Sequence, residues 1–245
     1  MESLIKEATE LIRKSKFTIA FTGAGISVES GIPPFRGQNG LWNKYDPKVL
    51  DINYFLDHAE YCWTFIREIF YDFFDTAKPN KAHLVLARME KEGLLKSIVT
   101  QNIDNLHYEA GNKVVHEFHG NSKKLRCLKC GKVYDVSEID FNALPPRCKY
   151  DNEILKPDFI FFGEGIPSDA YTHSFADAEK ADVCIIVGST GEVAPASYVP
   201  ATAKQNGAVI IEINPEESTF TRQITDIHLK GKASEIMTLL EEELF

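Results

Sequence analysis

The stretch Phe17-Thr18-Ile19-Ala20-Phe21-Thr22-Gly23-Ala24-Gly25-Ile26-Ser27-Val28-Glu29-Ser30-Gly31-Ile32-Pro33-Pro34-Phe35-Arg36-Gly37 decides the fold. Its first five residues are apolar or β-branched, the composition of a strand buried on both faces, and they run directly into closely spaced glycines. Glycines at Gly23 and Gly25 let backbone amides approach a pyrophosphate, and an Arg36 beside the turn suits a phosphate. The run departs from the G-x-G-x-x-G fingerprint, because residue 28 is Val and no acidic residue closes the second strand to hold an adenosine ribose. Taken alone, the glycines also fit a tight strand-to-helix turn with no ligand.

Outward from this stretch, three more apolar runs read as buried parallel strands: Ser97 to Thr100, Val183 to Val187 and Ala208 to Ile213. Helix-like segments lie between them, among them Ala82 to Glu92 and Ser168 to Lys180, and a first helix is expected within Met1 to Lys16. Alternating strand and helix predict an α/β fold with a doubly wound parallel, Rossmann-like sheet. Each strand ends in a polar or Gly-rich turn: Thr22 to Gly25, Gln101 to Asp104, Gly188-Ser189-Thr190 and Asn214-Pro215. In open α/β sheets ligands bind beyond the carboxyl ends of the strands, so the four turns are expected to meet at one crevice.

Two insertions interrupt the alternation and form a smaller module. Residues 41–78 carry Trp42, Tyr45, Phe55, Trp63, Phe65, Phe70, Phe73 and Phe74, and are expected to form helices covering the crevice. Residues 123–155 hold clustered cysteines in a zinc-ribbon-like segment, leaving 1–40, 79–122 and 156–245 to the large domain. Phe159 to Phe162 is expected to be a strand. Cys127-Leu128-Lys129-Cys130 is followed after 17 residues by Cys148-Lys149-Tyr150-Asp151, a spacing that fits one structural zinc with Asp151 in the place of a fourth cysteine. A carboxylate is a harder ligand than thiolate and rarer in such sites, so Asp151 either completes a tetrahedron or leaves the metal weakly held or absent. Cys62 and Cys184 stand alone in apolar surroundings and read as buried thiols.

The 245 residues suffice for a proper core without disulfides, and 44% hydrophobic with 26% charged residues is ordinary globular composition. A formal charge of -9 argues against nonspecific nucleic-acid binding and favours basic partners such as Lys-rich segments. The N-terminus lacks the apolar run of a signal peptide, and no later run suits a membrane span; a cytoplasmic location is expected.

The runs GAGISVESGIPPFRG (23–37), QNIDNLH (101–107), FHG (118–120), FFGE (161–164) and INP (213–215) resemble, in order, the motifs of the sirtuin family. That resemblance implies an NAD-dependent protein-lysine deacylase. His119 would take a proton from a hydroxyl of the nicotinamide ribose, a task suited to an imidazole that titrates near neutral pH. His107 and His116 are its nearest rivals, read as a helix residue facing the same region and as a strand residue. Asn102 and Gln101 would contact the ribose. Asp104 would accept from the nicotinamide carboxamide, or cap the following helix, or both. Phe35 is similar to the family's mobile aromatic that shields the ribose carbon. NAD contacts would extend over Gly23, Ala24, Gly25, Arg36, Ile103, Gly188, Ser189, Thr190, Asn214 and Ala233. An acyl-lysine peptide would add as a strand between Gly163-Glu164 and Gly191-Glu192-Val193, with Ile160, Phe162 and Val193 lining the acyl tunnel. The implied products are free lysine, nicotinamide and O-acyl-ADP-ribose. A mono-ADP-ribosyltransferase or NAD hydrolase on the same scaffold is the alternative, and a noncatalytic nucleotide- or peptide-binding module has no need of His119, Asn102 and Asp104 together.

Overall fold

The computed structural model describes residues 1–35, 40–72 and 77–245; Arg36, Phe73 and Phe74 lie outside them. Six parallel strands form the main sheet: β1 (Thr18–Thr22), β2 (Ser97–Thr100), β3 (Val115–Glu117), β7 (Val183–Val187), β8 (Val209–Asn214) and β9 (Ile227–Lys230), in the order β3-β2-β1-β7-β8-β9. The chain winds outward from β1 in one direction and from β7 in the other, which is the Rossmann-like order. Its topological switch point falls between β1 and β7, paired in register from Thr18↔Val183 to Thr22↔Val187.

The four central strands, β2, β1, β7 and β8, are buried on both faces, and alternate side chains feed two cores. Ala20, Ile98, Ile185 and Ile211 meet α1 (Glu2–Lys14), α3 (Lys81–Lys91) and α8 (Ala233–Leu244) through Ile5, Ile12, Val85, Leu86, Met237 and Leu240. Ile19, Phe21, Val99, Cys184, Ile186 and Ile210 meet α5 (Ser168–Lys180) and α6 (Tyr198–Gln205) through Ala178, Val199 and Ala203. Burying an Ile or Leu stabilises by roughly 1.5–3 kcal/mol, so this period-2 alternation fixes each strand's register against a one-residue slip. Cys62 and Cys184 are both buried, and burial pushes their thiols up to about 11 and about 12.

The two insertions share one core. Phe55, Trp63, Ile66 and Phe70, from α2 (Ile52–Ile66) and the turn after it, pack on Leu125, Cys127, Tyr134, Leu155 and Phe159 from a three-stranded antiparallel sheet of order β5-β4-β6. Its strands are β4 (Gly120–Cys127), β5 (Val133–Asp135) and β6 (Leu155–Phe159). Trp63 Nε1 donates to the Leu155 carbonyl at 2.8 Å, tying the segments together.

One expectation is corrected here. The strand β6 ends at Phe159 rather than spanning Phe159 to Phe162. Beyond it the backbone turns away: Ile160 N donates to His119 O (2.8 Å), Phe162 N to Leu50 O (2.8 Å) and Ile52 N to Phe162 O (3.0 Å). The aromatic run thus stitches the large sheet to the helical insertion. Among the described residues no helix is long and apolar enough to cross a membrane.

Candidate active site

At the switch point the turns after β1 and β7 lie backbone against backbone. Gly25 N donates to Gly188 O at 2.8 Å, and a Cβ on Gly25 would sit 2.6 Å from Gly188 Cα. Glycine is required there so that the two turns can touch, whatever binds above them.

The four turns meet at one cavity of about 840 Å³. Its floor is Gly23, Ala24, Gly25, Gln101, Asn102 and Ile103; Gly188, Ser189, Thr190 and Asn214 line one end. Phe35, Trp42, Leu50 and Phe70 from the helical side face Phe159, Ile160, Phe161 and Phe162, with Gly163, Glu164 and Val193 at the margin. Phe35 packs against Trp42, the rings tilted by 37° with centroids 5.3 Å apart. One end is therefore rich in amides and hydroxyls, and the other is an apolar slot. Among the described residues no Lys or Arg lines the cavity; its charged lining is Glu164, Glu216 and Glu217.

His119 lines this cavity at the end of the connection from β3. Its Nδ1 lies 3.1 Å from the Gln101 carbonyl, which can only accept. Nδ1 therefore carries the hydrogen, and Nε2 of the neutral ring keeps a lone pair. Burial holds the imidazole below its ordinary range, against the opposing pull of the Gln101 hydrogen bond, so the ring is neutral at pH 7.

Asn102 and Asp104 are both buried and are joined by a residue that sequence reasoning passed over. Ser27 Oγ donates to Asp104 Oδ2 (2.7 Å) and accepts from Asn102 Nδ2 (3.1 Å), whose amide also reaches Gly23 O (3.2 Å). The other Asp104 oxygen accepts the Leu106 N–H at 3.0 Å, entering α4 (Leu106–Ala110). Burial raises the Asp104 carboxyl, partly offset by the Ser27 and Leu106 hydrogen bonds. Asp104 lies beneath the floor and does not line the cavity. The only sequence signal for Ser27 was its place inside the glycine run.

The rival histidines are elsewhere. His107 is sealed below the sheet end, with Nε2 2.9 Å from Thr22 Oγ1, and does not face the cavity as expected. His116 lies in β3 and pairs with Asp177 at 2.9 Å, also away from the cavity. Ala233, the first residue of α8, is buried in the core and does not line the cavity.

Glu212, another residue not anticipated, orders the Asn214 end. Its buried carboxylate accepts from Asn214 Nδ2 (2.8 Å), Ser218, Thr221 Oγ1 (2.8 Å) and Thr225 Oγ1 (2.6 Å). Burial raises this carboxyl, and these four donors more than offset it, holding it below the usual carboxylate range.

In the small module, Cys127, Cys130, Cys148 and Asp151 bring four donor atoms within 4.8 Å of one another, a group that could hold a metal ion. Cys130 and Cys148 sulfurs lie 3.7 Å apart, and Cys127 Sγ is 3.5 Å from each Asp151 oxygen. Tyr134 supports the group, its hydroxyl 3.1 Å from Cys148 Sγ. The Glu153 N–H and then the thiols hold the Asp151 carboxyl at about 2 despite partial burial, so it is a charged donor at neutral pH.

A six-stranded Rossmann-like sheet, a cavity at its switch point with a neutral histidine and a cysteine-bearing second module together define an α/β protein of two modules, of the class that binds nucleotides at the switch point. The chain belongs to the Sir2 family, whose model matches residues 23–195. It is 44% identical over 244 residues to an NAD-dependent protein deacylase of Thermococcus sibiricus, covering 97% of this chain and 95% of that protein. It is 43% identical to NAD-dependent protein deacylase 2 of Archaeoglobus fulgidus, over 100% of this chain and 97% of the relative. Among solved structures it is similar to a Sir2 complex with deacetylated p53 peptide and 3'-O-acetyl ADP-ribose (TM-score 0.93, 36% identity, 98% of each chain). A Sir2–p53 peptide–NAD+ complex is also similar (TM-score 0.91, 35% identity, 98% of each chain).

Proposed function

We infer that this chain is an NAD-dependent protein-lysine deacylase. One observation carries the reading: the four strand-end turns and His119 converge on a single cavity with an amide-rich end and an apolar slot. NAD, when bound, supplies an electrophilic ribose carbon with nicotinamide as its leaving group. The chain's residues do the rest. Backbone at Gly23 to Gly25 and the Ser189, Thr190 and Asn214 side chains suit the phosphates and ribose of the dinucleotide. Asn102, held from beneath by Ser27 and Asp104, suits the nicotinamide end, and Phe35 suits a shield over the ribose carbon. His119 Nε2 takes a proton from a ribose hydroxyl, and the Gln101 carbonyl holds the ring in the tautomer that can do so.

Gly163-Glu164 and Val193 offer backbone on either side of the slot for a peptide added as a strand. For the second module we propose one structural zinc. A tetrahedral site with Zn–S of about 2.3 Å and Zn–O of about 2.0 Å needs S···S near ~3.8 Å and S···O near ~3.5 Å. The donors observed here, at 3.7 and 3.5 Å, meet both.

The slot also sets the acyl group. Its walls are Phe35, Trp42, Phe70, Phe161 and Phe162, and Arg67, a cation of the adjacent helical segment, is engaged elsewhere, with Nη1 2.7 Å from Phe141 O. Burying an uncompensated carboxylate there costs several kcal/mol. Acetyl and longer apolar chains are therefore expected to give a higher kcat/KM than succinyl on one peptide, and a higher value for succinyl would reverse the assignment. The decisive experiment incubates the chain with an acetyl-lysine peptide and NAD and looks for O-acetyl-ADP-ribose by mass spectrometry. ADP-ribosylated protein, or free ADP-ribose without deacylation, would identify a transferase or hydrolase instead.

A further inference from the structure

The sequence Leu155-Lys156-Pro157-Asp158-Phe159 of β6 places a lysine in the middle of a buried strand, and Lys156 is 4% exposed. Its ladder partner, Arg126, turns outward to Asp158 (2.8 and 3.0 Å). Lys156 instead curls back along its own chain. Its ammonium donates to Pro157 O (2.8 Å) and Phe159 O (2.7 Å) and lies 2.9 Å from Glu164 Oε2. An ammonium has three hydrogens and no lone pair, so all its donors are used, two on its own strand and one on Glu164. It also sits 4.2 Å from the centroid of the Phe161 ring.

Glu164 passes the connection on. The oxygen that meets Lys156 also accepts the Phe161 N–H at 2.7 Å, while Glu164 N donates to Phe161 O at 3.0 Å. Gly163 between them has φ of +91°, a left-handed turn. The next hydrogen bond along this loop runs from Ile160 N to the backbone of His119. Two β6 carbonyls thus anchor the ammonium, and through it the Glu164 carboxylate holds residues 160–164 in one shape, with Ile160 to Glu164 forming the cavity margin on one side.

We propose that Lys156 is a positioning residue for deacylation: through Glu164 it fixes the backbone of residues 160–164 in the form that receives the acyl-lysine peptide. This rests on the deacylase reading. Glu164 then acts on the substrate by being held, and its carboxylate faces inward to Lys156 and Phe161. A buried ion pair is weak evidence for stability alone, since apolar pairs of similar volume often serve as well. What the lysine supplies and an apolar side chain cannot is a fixed loop geometry.

The test compares Lys156→Met, Lys156→Arg and Glu164→Gln in the full chain. Lys156→Met is expected to raise the acetyl-peptide KM by about tenfold or more, with kcat and the NAD KM within about threefold of wild type, the pattern of lost substrate binding. Lys156→Arg keeps the charge and the donors and is expected to restore most of the peptide KM. Glu164→Gln is expected to move the peptide KM in the same direction by a smaller factor, and it keeps the test open if Lys156→Met does not fold. Amide hydrogen exchange needs no substrate, and Phe161 N–H is expected to exchange faster in Lys156→Met and Glu164→Gln. An unchanged peptide KM in folded variants, a parallel rise in both KM values, or unchanged Phe161 protection would overturn the proposal. A wild-type chain with no NAD-dependent deacylation would instead overturn the function, while the exchange result would still decide whether Lys156 holds the loop.

Discussion

His119 illustrates how little chemistry a single side chain needs once its surroundings are fixed. One carbonyl sets its tautomer and burial keeps it neutral, so its proton affinity is tuned without any carboxylate partner. His119→Ala is expected to abolish deacylation while leaving NAD binding measurable by titration, and Asn102→Ala to be severely impaired; full turnover by His119→Ala at neutral pH would remove the assignment. Because burial lowers the imidazole from its ordinary value of about 6.5, activity should be lost only as pH falls through a lower value. The acid limb of kcat/KM against pH is therefore expected to have its midpoint below about 6.5, and a midpoint above 7 would contradict the burial argument. His119 stood out in the sequence because Gly120 follows it and the cysteines come next. Ser27, Lys156 and Glu212 did not, because a buried polar residue inside an apolar run looks the same in sequence as a solvent-facing one. Only the third dimension supplies its partners.

At the scale of elements, the strands that could be read were those buried on both faces. The runs at Phe17, Ser97, Val183 and Ala208 are short, apolar or β-branched and bounded by polar turns, whereas β9, Ile227-His228-Leu229-Lys230, alternates and lies at the sheet edge. The shift of the Phe159 to Phe162 strand has the same origin: four apolar residues in a row say that a segment is buried but not which backbone it pairs with. The cysteine group was legible because ligand spacing survives in sequence. Replacing Asp151 with a fourth thiolate should therefore tighten the site: Asp151→Cys is expected to retain zinc at chelator concentrations that strip the wild type, read by elemental analysis after dialysis. Wild-type protein purified without chelator should carry about one zinc per chain. Absence of metal there would mean that packing alone, Tyr134 and Leu155 among it, holds the module together.

For the molecule as a whole, three histidines are kept neutral by burial: His83, lowered to about 4, His107, lowered well below its ordinary value, and His119. Between about pH 6.5 and 4 the unfolded chain binds protons that the folded chain refuses, so stability falls as pH falls through this window, by up to about 1.4 kcal/mol per pH unit for each site. Asp104 and Glu117, whose carboxyls burial raises, oppose this at its lower end. Urea midpoints are expected to drop between pH 6.5 and 4.5, and His83→Gln should flatten the slope; an identical slope in that variant would show that His83 does not contribute. The architecture of the large sheet was readable from alternating runs, and so was the grouping of the two insertions into one smaller module, but the side chains that make their shared core were not, since nothing in either segment announces its partners in the other. That shared core bears on how the chain opens. Trp63 and Leu155 are 92 residues apart, and the chain between them includes β2 and β3 of the main sheet. The order of opening follows from burial rather than from loop length, since β5 is three residues at the edge of a three-stranded sheet whereas β1 and β7 are central and fully buried. The small module should be the first part to open, so native-state exchange should find the amides of β4 and β5 released at lower denaturant than those of β1 and β7.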